Sequence, residues 1–137
     1  MICGLGIDLV EISRIEQMLA RWPKRFAQRV FTPEEITLCE SRGNRAAAFA
    51  ARFAAKEAFS KALGTGVDKD FSWKDFAVHN HENGRPQPAL SSRLARRLQG
   101  TAVHVSLSHS DHYATAVVIL EKTAWKIQLI SPSSLAS

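Results

Sequence analysis

Cysteine is scarce in this chain, with Cys3 and Cys39 the only two among 137 residues. Their spacing fits neither a metal knuckle nor a disulfide framework, so a reduced, intracellular protein is expected. Long apolar runs are absent as well. The stretch "ATAVVIL" falls far short of the roughly 20 residues that a membrane helix needs, which argues against a membrane span. The start "MICGLGIDLVEI" lacks the basic opening and cleavage signal of a secretory leader, and a cytoplasmic location is expected. There is no internal repeat and no low-complexity tract. A "GxxxxGK[ST]" phosphate loop is missing, and so is the "GxSxG" elbow of a serine hydrolase.

What is present suits one soluble domain. Its 45% hydrophobic and 23% charged residues are ordinary for a globular protein. At this length roughly two-thirds of the unfolded surface is buried, enough for a core without staples. Lysine and arginine outnumber aspartate and glutamate by 18 to 13, a net charge of +5. That balance favours an anionic partner: nucleic acid, an acidic protein or a phosphorylated small molecule. It is equally compatible with plain solubility.

The pattern along the chain predicts an α+β domain: an N-terminal strand, three early helices and a late antiparallel sheet. "GLGIDLVEI" alternates and is rich in branched residues, as strands are. Ser13 and Glu16 have capping-box spacing, which predicts a helix over 14–22 that ends before Pro23. Thr32-Pro33-Glu34-Glu35 repeats the device for a second helix, with Gly43 as its stop. A third helix is expected over 45–63, closed by Gly64. Further on, "DFAVHNH", the turn "ENGRP" and "PQPAL" predict a hairpin. Ser91 or Ser92 caps a short basic helix that stops at Gly100. "AVHVSLSHS" and "YATAVVILE" complete the sheet. The domain is expected over 1–122, with 123–137 as a tail of uncertain structure.

The central helix carries the chemistry. Wound at 3.6 residues per turn, Ala48, Ala51, Ala55, Phe59, Ala62 and Leu63 gather on one side. Glu57, Ser60, Lys61 and Gly64 fall at i, i+3, i+4 and i+7 on the other. A solvated Glu57–Lys61 pair explains that stripe as simply as a functional site does. Two roles are open to Lys56: contact with phosphates, or pairing with an acid to fix the helix.

Asp8 raises a similar choice. Aspartate is uncommon inside strands and an unpaired buried carboxylate is costly, so a cationic partner is expected. That partner is either a basic side chain or a metal ion. With Glu57 it gives two carboxylates and no histidine or cysteine cluster, a donor set suited to Mg²⁺. In "SLSHSDHY", Ser108, His109 and Ser110 occupy a polar turn. They are better placed to donate to an anion than to form a triad, because triads draw on distant segments.

Taken together, "GLGIDLVEI", "FTPEE", "RFAAKEAFSKALGTG", "NGRP" and "HVSLSHSDHYATAVVI" resemble the small bacterial holo-acyl-carrier-protein synthases, a class of 4′-phosphopantetheinyl transferases. They occur in the family's order and reach to about Glu121. The resemblance implies transfer of the phosphopantetheine arm of coenzyme A to a serine of an acidic acyl carrier protein, in support of fatty acid biosynthesis. It implies Asp8 and Glu57 as Mg²⁺ ligands, with Asp8, Glu57 and Lys61 as the catalytic set. It implies Arg52, Ser60, Lys61, Gly64, Ser108 and His109 as the coenzyme A set, to which Lys56 is added as a second positive charge beside the site. It also implies a homotrimer with its active sites between subunits, and carrier docking on the first helix.

For that docking the residues speak independently. Arg14, Met18 and Arg21 form one stripe that Lys24 and Arg25 extend, suited to an acidic partner helix. Ile15, Leu19 and Trp22 form the neighbouring stripe expected to face the core. Two other function classes compete. A nucleic-acid-binding module is favoured by "SSRLARRL" but lacks a basic–aromatic stripe. Another Mg²⁺-dependent nucleotide enzyme lacks a phosphate loop.

Overall fold

The computed structural model describes residues 1–65 and 71–123. The expected tail therefore lies, apart from Thr123, outside the described residues. Strand β1, Ile2–Glu11, runs directly into helix α1, Ile12–Arg21. The Ser13 capping box does not form: Glu11 is the N-cap and supplies no side-chain cap. The reason lies in the sheet. β1 pairs with a later strand as far as Glu11 opposite Tyr113, and the Ile12 N–H donates to the His112 carbonyl at 2.9 Å. The helix begins where strand pairing ends, which leaves Ser13 inside its first turn.

A short helix α2, Arg25–Val30, follows Pro23 and buries Phe26, Ala27 and Val30. Six residues carry too little period to announce it in the sequence. Helix α3, Pro33–Glu40, has the expected capping box. The Glu35 N–H donates to Thr32 Oγ1 at 3.2 Å, and the Thr32 N–H donates to Glu35 Oε1 at 3.0 Å. Helix α4, Arg45–Leu63, matches the expected span. The Asn44 side chain caps its start, and Gly64 ends it in the left-handed region at φ +79°, where a residue without a Cβ is favoured.

The second half follows the sequence closely. Strands β2, Phe76–Asn80, and β3, Pro86–Leu90, form an antiparallel hairpin that is a sheet of its own. Ser91 caps helix α5, Ser92–Arg97. Strands β4, Thr101–His109, and β5, Tyr113–Lys122, are antiparallel, and the main sheet has the order β1-β5-β4. The first and last strands are thus neighbours, a long-range pairing that the α+β expectation left open.

Helix α4 lies across the inner face of that sheet with 12 of its 19 residues buried. It is therefore core nearly all round, not a two-sided helix. Ala48 and Leu63 are only partly buried, while Arg52, Lys56 and Ser60 lie inside. The close fit depends on two glycines of β1. A Cβ on Gly6 would sit 1.9 Å from the Ala58 carbonyl oxygen, and one on Gly4 would sit 2.3 Å from that of Ala62. Gly4, Gly6, Asp8 and Val10 share the inward face, since strand side chains alternate. The backbone of α4 is thereby drawn against the strand beside Asp8.

Candidate active site

Asp8 and the end of α4 meet at the edge of the main sheet. Lys61 Nζ donates to Asp8 Oδ1 at 3.1 Å and to the Ile7 carbonyl at 2.9 Å. The Asp8 carboxylate is mostly shielded and the Lys61 chain is half exposed, with side-chain exposures of 18% and 54%. Thr115 Oγ1 donates to the Asp8 carbonyl at 2.8 Å, tying this point to β5. Glu57 stands one turn before Lys61 on α4. Its carboxyl is pushed up, first by burial and then by the charge of Asp8, against the pull of Lys61 and Arg14. The Asp8 charge thus adds to burial in disfavouring the ionised Glu57 carboxylate, and Lys61 and Arg14 offset this only in part. Among the described residues no cluster of three or more metal-ligating side chains forms, so any cation here would rest on these two acids.

Ser60 turns back into its own helix, where its hydroxyl donates to the Glu57 carbonyl at 2.8 Å. Gly64 is the open helix end, with nothing within 4 Å of where a Cβ would stand.

A second hollow, of about 460 Å³, opens beside the first half of α4. Arg42, Arg52, Ser108 and His109 line it, opposite Asn80 and Gly84 of the hairpin. Arg52 is buried yet satisfied: Nε donates to the Val78 carbonyl at 3.1 Å and Nη1 to that of Ala48 at 3.3 Å. Ser108 and His109 are exposed, and His109 Nδ1 lies 3.3 Å from the Ser110 carbonyl oxygen. Three basic or potentially basic groups in one cleft can hold an anion with several charges.

A third hollow, also of about 460 Å³, lies between α1, α2 and α4. Met18, Trp22, Arg25, Phe26, Phe53 and Trp73 surround it. Trp22 does not face the core as expected. It is 36% exposed with the Arg21 guanidinium stacked 4.6 Å from its ring, because the helix ends before the stripe turns inward. Met18 is half-buried instead.

Comparison with known proteins places the whole arrangement. Residues 4–118 match the model of the 4′-phosphopantetheinyl transferase superfamily. The chain belongs to that superfamily. It is 47% identical over 124 residues to a holo-[acyl-carrier-protein] synthase of Koribacter versatilis, covering 88% of this chain and 99% of the relative. The synthase of Neisseria meningitidis superposes with a TM-score of 0.82 at 35% identity, over 89% of this chain and all of the other. That of Bacillus anthracis, solved in complex with CoA (3′,5′-ADP), gives 0.76 at 40% identity over 89% and 98%.

Within this transferase the structure brings Asp8, Glu57 and Lys61 together, and separately Arg52, Ser108 and His109. Lys56 joins neither group. Its side chain has no exposure and its ammonium pairs with Glu35 at 2.8 Å, so its inclusion among coenzyme A contacts is corrected. Of its two open roles it takes the pairing one. Burial pulls its pKa down and the Glu35 carboxylate opposes that pull. Sequence reasoning missed Arg42, Asn80, Phe53 and Trp73. None sits in a periodic or motif position that marks it, although "NGRP" points to the hairpin end beside the cleft.

Proposed function

We propose that the chain is a holo-[acyl-carrier-protein] synthase. It moves the 4′-phosphopantetheine group of coenzyme A to a serine hydroxyl of apo acyl carrier protein and releases adenosine 3′,5′-bisphosphate. The observation that carries this reading is the meeting of Asp8, Glu57 and Lys61 in a chain nearly half identical to such synthases along its length. Incubation of apo acyl carrier protein with coenzyme A, Mg²⁺ and the enzyme should add the mass of one phosphopantetheine arm. An unchanged carrier mass under conditions where a known synthase works overturns the reading.

The serine oxygen attacks the phosphorus that bears pantetheine. The bond from that phosphorus to the bridging oxygen breaks, and the electron pair leaves with the nucleotide. Glu57 takes the serine proton, directly or through a water beside it. Lys61 swings from Asp8 to the charge that grows on the leaving phosphate. Asp8 and Glu57 would hold Mg²⁺. The donor set fits: two carboxylates leave the remaining positions to water and phosphate oxygens, and the Asp8 charge adds to the burial that already disfavours an ionised Glu57 without a cation. When bound, the ion neutralises charge on the pyrophosphate. Catalysis then rests on positioning and electrostatics.

Coenzyme A lies along α4 from Gly64 and Ser60 to Arg52, with Ser108 and His109 at its adenosine end. The acidic carrier docks on Arg14, Met18, Arg21 and Arg25, and the aromatic hollow behind Met18 receives an apolar side chain between basic flanks. The working form is a homotrimer with active sites at the subunit boundaries. The outer face of the main sheet supports this, for Leu5, Ile7 and Leu9 stand 63%, 64% and 64% exposed in a row. The cleft of Arg52 and His109 does not include Asp8, Glu57 or Lys61, as expected of a site completed by a neighbour. The enzyme acts in the cytoplasm in fatty acid synthesis, and residues 1–122 form its single domain. Among the described residues no helix is long and apolar enough to cross a membrane.

A further inference from the structure

The hairpin forms one wall of the Arg52 cleft, yet β2 has only β3 as a strand neighbour. Pro88 stands opposite Val78 and Pro86 opposite Asn80. Proline has no N–H to give, so these are the non-hydrogen-bonded pairs of the ladder. The main-chain groups of Phe76, Val78 and Asn80 therefore turn away from β3, toward the helices. An unpaired edge buried there would be costly.

Charged side chains take the place of a third strand. The Val78 N–H donates to Glu35 Oε2 at 3.0 Å, and Arg52 Nε donates to the Val78 carbonyl at 3.1 Å. Lys56 Nζ donates to the Phe76 carbonyl at 2.5 Å and to that of Trp73 at 2.8 Å. The same ammonium pairs with Glu35 Oε1 at 2.8 Å, the oxygen that also accepts from the Thr32 N–H. Glu35 and Lys56 are both fully buried. A buried ion pair of this kind is a poor source of stability, because removing two charges from water offsets most of their attraction. What it fixes is relative position: the start of α3, the middle of α4 and β2 are held in one register.

We propose that Glu35 and Lys56 are positioning residues for the nucleotide half of coenzyme A, acting through β2 without touching the ligand. Arg52 itself reaches Asn80 Oδ1 at 3.3 Å, and the clasp helps set how far this hairpin end, with Gly84, stands from Ser108 and His109 across the cleft. Asp8 on β1, and Glu57 and Lys61 on α4, share none of the clasp's hydrogen bonds or ion pairs. The inference rests on the coenzyme A reading of that cleft.

The test is the double variant Glu35→Gln with Lys56→Met, which removes both charges and leaves neither unpaired. Binding of adenosine 3′,5′-bisphosphate, measured by calorimetry, should weaken about tenfold, and KM for coenzyme A should rise by a like factor. kcat and KM for the carrier should stay within about twofold. General loosening would instead lower kcat and raise both KM values together, and that pattern overturns the proposal. So does unchanged nucleotide binding in the folded variant. If circular dichroism shows the double variant unfolded, Glu35→Gln alone carries the same measurement, since its amide keeps the shape and Lys56 keeps two carbonyl partners. Wild-type protein that does not bind the bisphosphate removes the coenzyme A reading itself, and the positioning role with it.

Discussion

Lys61 Nζ lies 3.1 Å from Asp8 Oδ1 and 2.9 Å from the Ile7 carbonyl oxygen, so the ammonium occupies ground where a cation bound to Asp8 would sit. Lys61→Met should therefore tighten Mn²⁺ or Mg²⁺ binding in the absence of coenzyme A, by about tenfold from the charge removed. Turnover should nevertheless fall about 100-fold, because the cation proposed to stabilise the leaving phosphate is gone. Calorimetric titration and steady-state rates check the two halves. Weaker metal binding in this variant contradicts the shared position.

Gly6 permits the contact between β1 and α4 that brings Asp8 to Glu57. In Gly6→Ala the new methyl would lie 1.9 Å from the Ala58 carbonyl oxygen, so strand and helix must part. A loss of about 2–3 kcal/mol in stability is expected, together with reduced activity. Gly43→Ala, with nothing within 4 Å of its Cβ, is the control and should unfold near the wild-type temperature. Thermal melts of the two variants decide the point.

Ile7 points to the uncovered face of the sheet while its neighbour Asp8 points inward. If the proposed trimer forms through this face, wild-type protein should run as a trimer and Ile7→Lys as a monomer, read by light scattering after gel filtration. A site shared between subunits should lose at least tenfold in activity with it, since burying a lysine in an apolar interface is costly. A fully active monomer would show instead that one chain holds the complete site.

Cys39 is buried and its thiol is pushed up to about 11, chiefly by burial, whereas Cys3 is exposed. Native protein should present one fast thiol to a disulfide reagent, and denatured protein two. The thiol's ordinary value is 9.0, so between pH 9 and 11 the unfolded chain releases a proton that the folded chain keeps. Stability should fall with rising pH across that window. The fall should be smaller in Cys39→Ala, measured as melting temperature against pH.

Local structure was largely legible in the sequence. The Thr32–Glu35 capping box, the α4 span with its Gly64 stop, the hairpin turn and the last two strands all form as their residues dictate. Ser13 does not cap because strand pairing with β5 ends at Glu11 and the helix begins at once at Ile12, two residues before the expected start. The residues proposed for the site could be named from the sequence as a set, but not as an arrangement. Helical period puts Lys61 on the stripe of Glu57 and leaves Lys56 off it, but nothing local says what Lys56 meets.

The sequence by itself determined most of the elements, several of their ends, and the residue types on which the proposed phosphate chemistry depends. Caps, turns and periods act over a few neighbouring residues, so they can be read from those neighbours. Only the tertiary structure decided that Lys56 enters the core to meet Glu35 while Lys61 reaches the open edge to meet Asp8. That choice turns on burial and on partners many residues away, and a side chain's solvation and pairing are fixed only once those segments have packed.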